Sequence, residues 1–120
     1  MLKLDHLRIP VSGLTRSRDW YVQTLGLRVE FELPDRQTVA LQDTNDFTIF
    51  LQEVGGTVSP GSAAFWFQVD DVDTTVQAWS SRGVTFVHAG QKTYWGYGAK
   101  LSDPDGYRIR LWDTRSMKER

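Results

Sequence analysis

The sequence predicts an α+β fold in which a β-α-β-β-β module occurs twice in tandem. Apolar and polar residues alternate with a period of two in several short segments, which is typical of strands. Two other segments carry apolar residues at helical spacing, and each ends at a glycine. The same elements then recur about 60 residues later. Corresponding residues of the two copies are Val11 and Val69, Gly26 and Gly83, and Ile49 and Ile109.

Module one is predicted over about residues 1–55. Its helix is bounded by Ser12, a residue type that caps helix N-termini, and by Gly26, which suits a helix end. Pro34 and Asp35 mark the turn between the second and third strands. The predicted elements are a strand over Leu2–Val11, a helix over Leu14–Leu25, and strands over Leu27–Leu33, Thr38–Gln42 and Phe47–Val54.

Module two is predicted over about residues 62–114, after a Gly, Ser and Pro-rich linker at about 55–61 and before a polar tail at 115–120. Its helix follows the capping pair Asp70-Asp71 and ends at Gly83. His88 and the stretch Tyr94–Gly98 are assigned to loops, and the latter either packs on itself or forms a flap over a ligand. The predicted strands are Ala63–Val69, Val84–Val87, Ala99–Ser102 and Tyr107–Asp113.

Length and composition exclude several classes of protein. A chain of 120 residues fits a single domain, and a net charge of −1 argues against nucleic-acid binding. The absence of cysteine excludes disulfides and Cys-ligated zinc. The longest apolar run, Ala63–Phe67, is too short to span a membrane. Because the first ten residues also lack the apolar run of a signal peptide, we expect a cytoplasmic protein.

The ordered set of motifs resembles the vicinal-oxygen-chelate superfamily, which includes glyoxalase I, bleomycin-resistance proteins and extradiol dioxygenases. The residues that carry the resemblance are 4–7 (LDHL), 25–27 (LGL), 69–73 (VDDVD) and 103–107 (DPDGY), and the Trp95-Gly96 step resembles the bleomycin-resistance branch. The resemblance implies a curved mixed sheet that encloses a cup, with the helices on its outer face. It also implies modules that lie side by side, within one chain or across two.

The resemblance further implies where metal ligands would stand, on the first and last strand of each module. The matching positions are His6, Phe50, Ala64 and Arg110. Only His6 has a donor atom, whereas a catalytic metal needs about three protein ligands. Gln52 would share a face with Phe50, but Glu53 would point the other way, and two ligands are too few. The sequence therefore predicts no metal and no cofactor.

Strand parity predicts that aromatic, basic and amide side chains line the cup, which is typical of a small-molecule site. The opposite strand face is uniformly apolar and is expected beneath the helices. The sequence thus predicts metal-independent binding of a small, flat, anionic molecule, of the sequestration or resistance type. The candidate ligand-binding residues are His6, Arg8, Phe50, Trp66, Gln68, Trp95, Arg110 and Trp112.

Two other interpretations stay open at this stage. One is a glyoxalase- or dioxygenase-like enzyme, which either has a degenerate or relocated metal site or works without metal as an isomerase with His6 as the general base. The other is a small interaction module. Trp66 and Trp112 also have a purely structural interpretation, in which they fill the concavity of the sheet or a dimer interface. The edges of the two first strands also predict a homodimer, because unpaired strand edges are usually covered.

Overall fold

A computed structural model describes residues 1–94 and 96–115. The chain divides between Ser59 and Pro60 into two compact units, which we call module one and module two. No helix among the described residues is long and apolar enough to cross a membrane.

Module one contains one four-stranded mixed sheet with one helix packed on it. The strand order is β1-β4-β3-β2, in which β1 runs parallel to β4 and the other neighbours are antiparallel. A short 3-10 turn, Pro34–Arg36, joins β2 to β3. The elements are β1 His6–Val11, α1 Leu14–Leu25, β2 Arg28–Leu33, β3 Thr38–Gln42 and β4 Thr48–Glu53.

Module two repeats this topology. Its strand order is β5-β8-β7-β6, again with the first and last strands of the module parallel. The elements are β5 Ala64–Gln68, α2 Val72–Ser81, β6 His88–Thr93, β7 Gly96–Ser102 and β8 Arg108–Trp112. The α+β fold with two β-α-β-β-β modules is therefore confirmed, with one mixed sheet in each module.

The core of each module lies between its helix and one face of its sheet. Among the strand residues that were expected beneath the helices, four are half-buried, namely Phe47, Phe65, Phe67 and Val69. Most of the others are buried, in agreement with the predicted parity. Each such side chain contributes about 1.5–3 kcal/mol on burial. Leu7 shares that face but stays 42% exposed at the start of the outer strand β1. The buried residues of this face include Ile9, Val11, Ile49, Leu51, Leu101, Ile109 and Leu111.

Each helix begins against a carboxylate from the last strand of its own module. Glu53 accepts a hydrogen bond from the Leu14 backbone N–H at 2.8 Å, and Asp113 accepts one from the Val72 N–H at 2.6 Å. Glu53 and Asp113 occupy corresponding positions of the repeat. Both carboxylates therefore point toward the helices, as strand parity predicts.

The two helix N-termini differ in their own caps. Ser12 was predicted as the N-cap of α1, which is wrong: Gly13 occupies that position. The Ser12 hydroxyl instead accepts a hydrogen bond from the Arg16 guanidinium at 2.7 Å. In α2 the predicted cap is present, since Asp71 accepts from the Thr74 N–H at 2.8 Å. That bond holds the pKa of Asp71 below its usual value.

The second strand of module two is the main error of the sequence analysis. Val84–Val87 forms no strand; β6 runs over His88–Thr93, so His88 lies on a strand and not in a loop. Gly90 suggested a loop, but it is needed inside the strand. A Cβ there would lie 2.5 Å from the Tyr97 hydroxyl oxygen, and that hydroxyl donates to the Asp73 carboxylate on α2 at 2.6 Å.

Two further boundaries differ from the predictions by more than one residue. Residues 2–5 precede β1 and are not part of it, because the strand pairs with β4 only from His6 onward. The predicted flap over Tyr94–Gly98 is partly strand, since Gly96 opens β7. Of the two other flap residues, Tyr94 lies in a turn and is exposed, and Trp95 lies outside the described residues.

Candidate functional site

Each sheet has a face turned away from its helix, which we call the distal face. Apart from Trp95, which lies outside the described residues, the sequence-predicted site residues fall on the distal faces of the two modules. Each face is described by itself, starting with that of module two, which carries the larger number of basic residues.

A row of four side chains crosses the distal face of module two. Trp66 on β5 pairs with Arg110 on β8, Arg110 pairs with Lys100 on β7, and Lys100 pairs with His88 on β6. Directly paired residues project from the same face of a sheet. The distal face thus carries an aromatic ring at one end of the row and three nitrogen-bearing side chains beside it.

The Arg110 guanidinium lies over the Trp66 ring, with its Cζ 5.2 Å from the ring centroid. A contact of this kind stabilises by about 0.5–1 kcal/mol at an exposed site. Trp66 is 45% exposed, so a substantial part of this side chain is accessible.

Two further rows flank the first one. On one side Ala64 pairs with Arg108, which pairs with Ser102. Arg108 donates to the Ser102 hydroxyl at 3.1 Å and to the Gly106 carbonyl at 3.3 Å. On the other side Gln68 pairs with Trp112. The structure therefore brings together four of the predicted site residues: Trp66, Gln68, Arg110 and Trp112.

The sheet of module two has an unbalanced charge. None of its four strands contains Asp or Glu, whereas its distal face holds Lys100, Arg108 and Arg110. Two cations about 5 Å apart repel by roughly 3 kcal/mol at an effective dielectric constant of 20, and by about 0.8 kcal/mol in water. An anion placed between two such cations adds two attractions to this repulsion, and together these outweigh it.

The distal face of module one carries an aromatic cluster. His6 stacks on Phe50 with ring centroids 4.4 Å apart and an interplanar angle of 21°. The ring of Phe31 packs edge-on against that of Phe50, with ring centroids 5.6 Å apart. A register shift between Val29 and Phe31 brings Phe31 onto this face, because a bulge re-aims the side chains that follow it.

The polar groups of this face are bonded to one another. Arg8 donates to the Gln52 side-chain oxygen, and Thr48 donates to the Glu30 carboxylate at 3.4 Å. The His6 Nδ1 lies 2.9 Å from an Asp5 carboxylate oxygen, and both side chains are exposed. The structure thus brings the predicted residues His6, Arg8 and Phe50 together on module one.

The positions that the family resemblance assigns to metal ligands do not fit a metal ion. Phe50 and Ala64 have no donor atom and Arg110 is a cation, while the ring of His6 stacks on Phe50. The nearby Gln52 oxygen is bonded to Arg8. Throughout residues 1–94 and 96–115, no three His, Asp or Glu side chains are grouped closely enough to hold a metal.

Sequence reasoning missed Lys100, His88 and Phe31. His88 was missed because the second strand of module two was predicted at Val84–Val87. Phe31 was missed because a bulge is not visible in period-two alternation. Lys100 had a usable signal: Tyr97, Ala99 and Leu101 alternate as apolar residues, which places Lys100 on the opposite face. The predicted site residue Trp95 lies outside the described part of the chain.

Comparison with known proteins gives consistent results. A family model described as Glyoxalase/Bleomycin resistance protein/Dioxygenase superfamily matches residues 3–111. No curated protein matches the chain. Among solved structures, the antibiotic binding protein TnmS3 from Streptomyces sp. CB03234 is 28% identical, with a TM-score of 0.78 over 94% of this chain and 96% of that one.

Two further solved structures are similar. A glyoxalase/bleomycin resistance protein from the same Streptomyces strain is 30% identical, with a TM-score of 0.69 over 90% of this chain and 98% of that one. A lactoylglutathione lyase from Agrobacterium tumefaciens is 17% identical, with a TM-score of 0.74 over 94% of each chain. The latter similarity shows the shared fold alone.

Proposed function

We propose that this chain, which belongs to the Glyoxalase/Bleomycin resistance protein/Dioxygenase superfamily, is a metal-independent binding protein. Its ligand is a small, flat, anionic molecule, which it sequesters. The observation that carries this proposal is the Arg110 guanidinium lying over the partly exposed Trp66 ring.

This pair offers the two contacts that a flat anion requires. The indole provides a planar apolar surface, and the guanidinium provides a fork of N–H donors that matches a carboxylate or phosphate. A hydrogen bond between charged groups contributes about 1.5–3 kcal/mol. Gln68 and Trp112, which pair with each other two residues further along, add an amide and a second ring.

The comparisons support binding over catalysis. TnmS3, 28% identical to this chain, is described as an antibiotic binding protein. The positions of the family's metal ligands are occupied here by side chains that do not suit a metal, and that chemistry supports a function without one. On module one we propose His6, Arg8 and Phe50 as a further ligand-contacting surface.

The test is a calorimetric titration with 1-naphthoate as the flat anion and 1-naphthol as its neutral analogue. Arg110→Ala should weaken 1-naphthoate binding roughly ten- to a hundredfold and leave 1-naphthol binding within about twofold. The matched control is Lys92→Ala, because Lys92 pairs with Tyr97 and shares its helix-facing side. Circular dichroism should show both variants folded.

Two results would overturn the proposal. One is an Arg110→Ala variant that binds 1-naphthoate as tightly as the unchanged protein. The other is the absence of measurable binding of 1-naphthoate to the unchanged protein at millimolar concentration. Mass spectrometry of the recovered 1-naphthoate adds a second readout, since chemical conversion of the probe would indicate an enzyme instead of a binding protein.

A further inference from the structure

We infer that the distal face of module two recognises a doubly charged phosphate group on an aromatic ligand, with Lys100 as a second cationic contact beside Arg110. This inference rests on the proposed function and names the class of its ligand, an aryl phosphate monoester. It also assigns a binding role to Lys100.

The strand register places the cations close together. Lys100 lies directly opposite Arg110 in the antiparallel pair β7 and β8, where opposing Cα atoms are about 4.5–5.5 Å apart. Arg108 is two residues from Arg110 on the same strand, about 7 Å away and on the same face. Its contacts with Ser102 and the Gly106 carbonyl hold it along the edge of the patch.

The number of charges selects the ligand. One guanidinium fork is sufficient for a carboxylate, and the Lys100 ammonium would then have no share in binding it. A phosphate monoester carries a charge of about −1.5 to −2 and three acceptor oxygens at neutral pH. Its tetrahedral oxygens can accept from Arg110 and from Lys100 at the same time, which a planar carboxylate does less well.

The surrounding sequence supports this choice. The four strands of module two contain no Asp or Glu. The strands of module one do contain acidic residues, and there Glu32 pairs with Arg18 at 3.0 Å and Glu30 bonds to Thr48. The excess of positive charge is therefore a property of one sheet and not of the fold.

The aromatic half of the ligand follows from the position of Trp66. This ring stands at the end of the same row, on the side of Arg110 opposite Lys100. A ligand that places its phosphate between Arg110 and Lys100 gains a contact with the indole when its ring is directed along the row toward Trp66. Stacking on an exposed indole favours a flat aromatic group over an aliphatic one.

The experiment compares three probes by calorimetry at one fixed ionic strength. These are 1-naphthyl phosphate, its methyl ester, which carries one additional methyl group and only a single charge, and 1-naphthoate. The unchanged protein should bind 1-naphthyl phosphate about tenfold more tightly than the other two. Lys100→Met should abolish that preference and leave 1-naphthoate binding within about twofold. Lys92→Met, on the helix-facing side of β6, should change neither.

The outcomes separate this inference from the function on which it rests. If 1-naphthoate binds through Arg110 but 1-naphthyl phosphate binds no more tightly than its methyl ester, the phosphate assignment is wrong and the proposed function stands. If Lys100→Met weakens all three probes equally, Lys100 has no selective role and the inference is also wrong. If none of the probes binds the unchanged protein, the proposed function itself fails.

Discussion

Asp113 should be one of the most important polar side chains for the stability of module two, and replacing it tests how the helix is anchored to the sheet. Its side chain is 1% exposed and accepts the Val72 N–H at 2.6 Å. Val72 is itself fully buried. Asp113→Ala therefore removes a charged acceptor and leaves a helix N-terminal donor in a buried environment.

The size of the effect follows from these two losses. A hydrogen bond to a charged group contributes about 1.5–3 kcal/mol, and a buried donor without its acceptor costs about 1–3 kcal/mol. Both values partly describe the same lost hydrogen bond and are therefore not additive. We expect a loss of roughly 2–4 kcal/mol in the free energy of unfolding. At about 3–6 °C per kcal/mol for a chain of this size, the melting temperature should fall by roughly 10 °C.

The corresponding carboxylate of module one gives an internal comparison. Glu53 makes the same type of bond to the Leu14 N–H but is only partly buried, so Glu53→Ala should cost about 1 kcal/mol. Glu32→Ala, which removes a surface ion pair with Arg18, should cost less than about 1 kcal/mol. Urea unfolding followed by circular dichroism measures all three. Equal losses for Asp113→Ala and Glu32→Ala would refute the anchoring role.

Two other predictions concern the whole protein. Elemental analysis of protein purified without an affinity tag should show clearly substoichiometric Zn, Ni, Mn and Fe. EDTA should leave the melting temperature unchanged, because only a ligand that binds the native state stabilises it. One equivalent of metal that survives dialysis would contradict this prediction. Light scattering at micromolar concentration should give about 28 kDa, twice the chain mass of 13.8 kDa. The reason is that β1 and β5 are each the outer strand of a sheet, and such edges are usually covered. A monomer at every concentration would contradict the dimer.

The parts of the fold that follow from simple periodicity were predictable. The bounds of α1 are as predicted, since apolar spacing and Gly26 define that helix locally. The burial of Ile109 and Leu111 and the direction of Glu53 follow from period-two alternation once the strands are placed. The pairing of Trp66 with Arg110 also follows from the repeat.

The errors arise where contacts distant in sequence decide the structure. Val84–Val87 has the β-branched composition of a strand, but the strand begins at His88, where pairing with Lys100 is available. Gly90 is tolerated there because Tyr97 and Asp73 fill the space beside it. The shift in register before Phe31 depends on the partner strand β3, so the contact of Phe31 with Phe50 is not visible in the local pattern.

The repeat shows which positions the fold constrains and which it leaves to binding. On the helix-facing side the modules agree, since Ile49 corresponds to Ile109 and Glu53 to Asp113. On the distal side they differ, because the aromatic Phe50 corresponds to the basic Arg110. Packing against the helix restricts the first set, whereas the distal residues contact one another and solvent. Substitutions at distal positions should therefore change ligand preference with little loss of stability, which separates binding effects from folding effects in every experiment on Arg110 and Lys100.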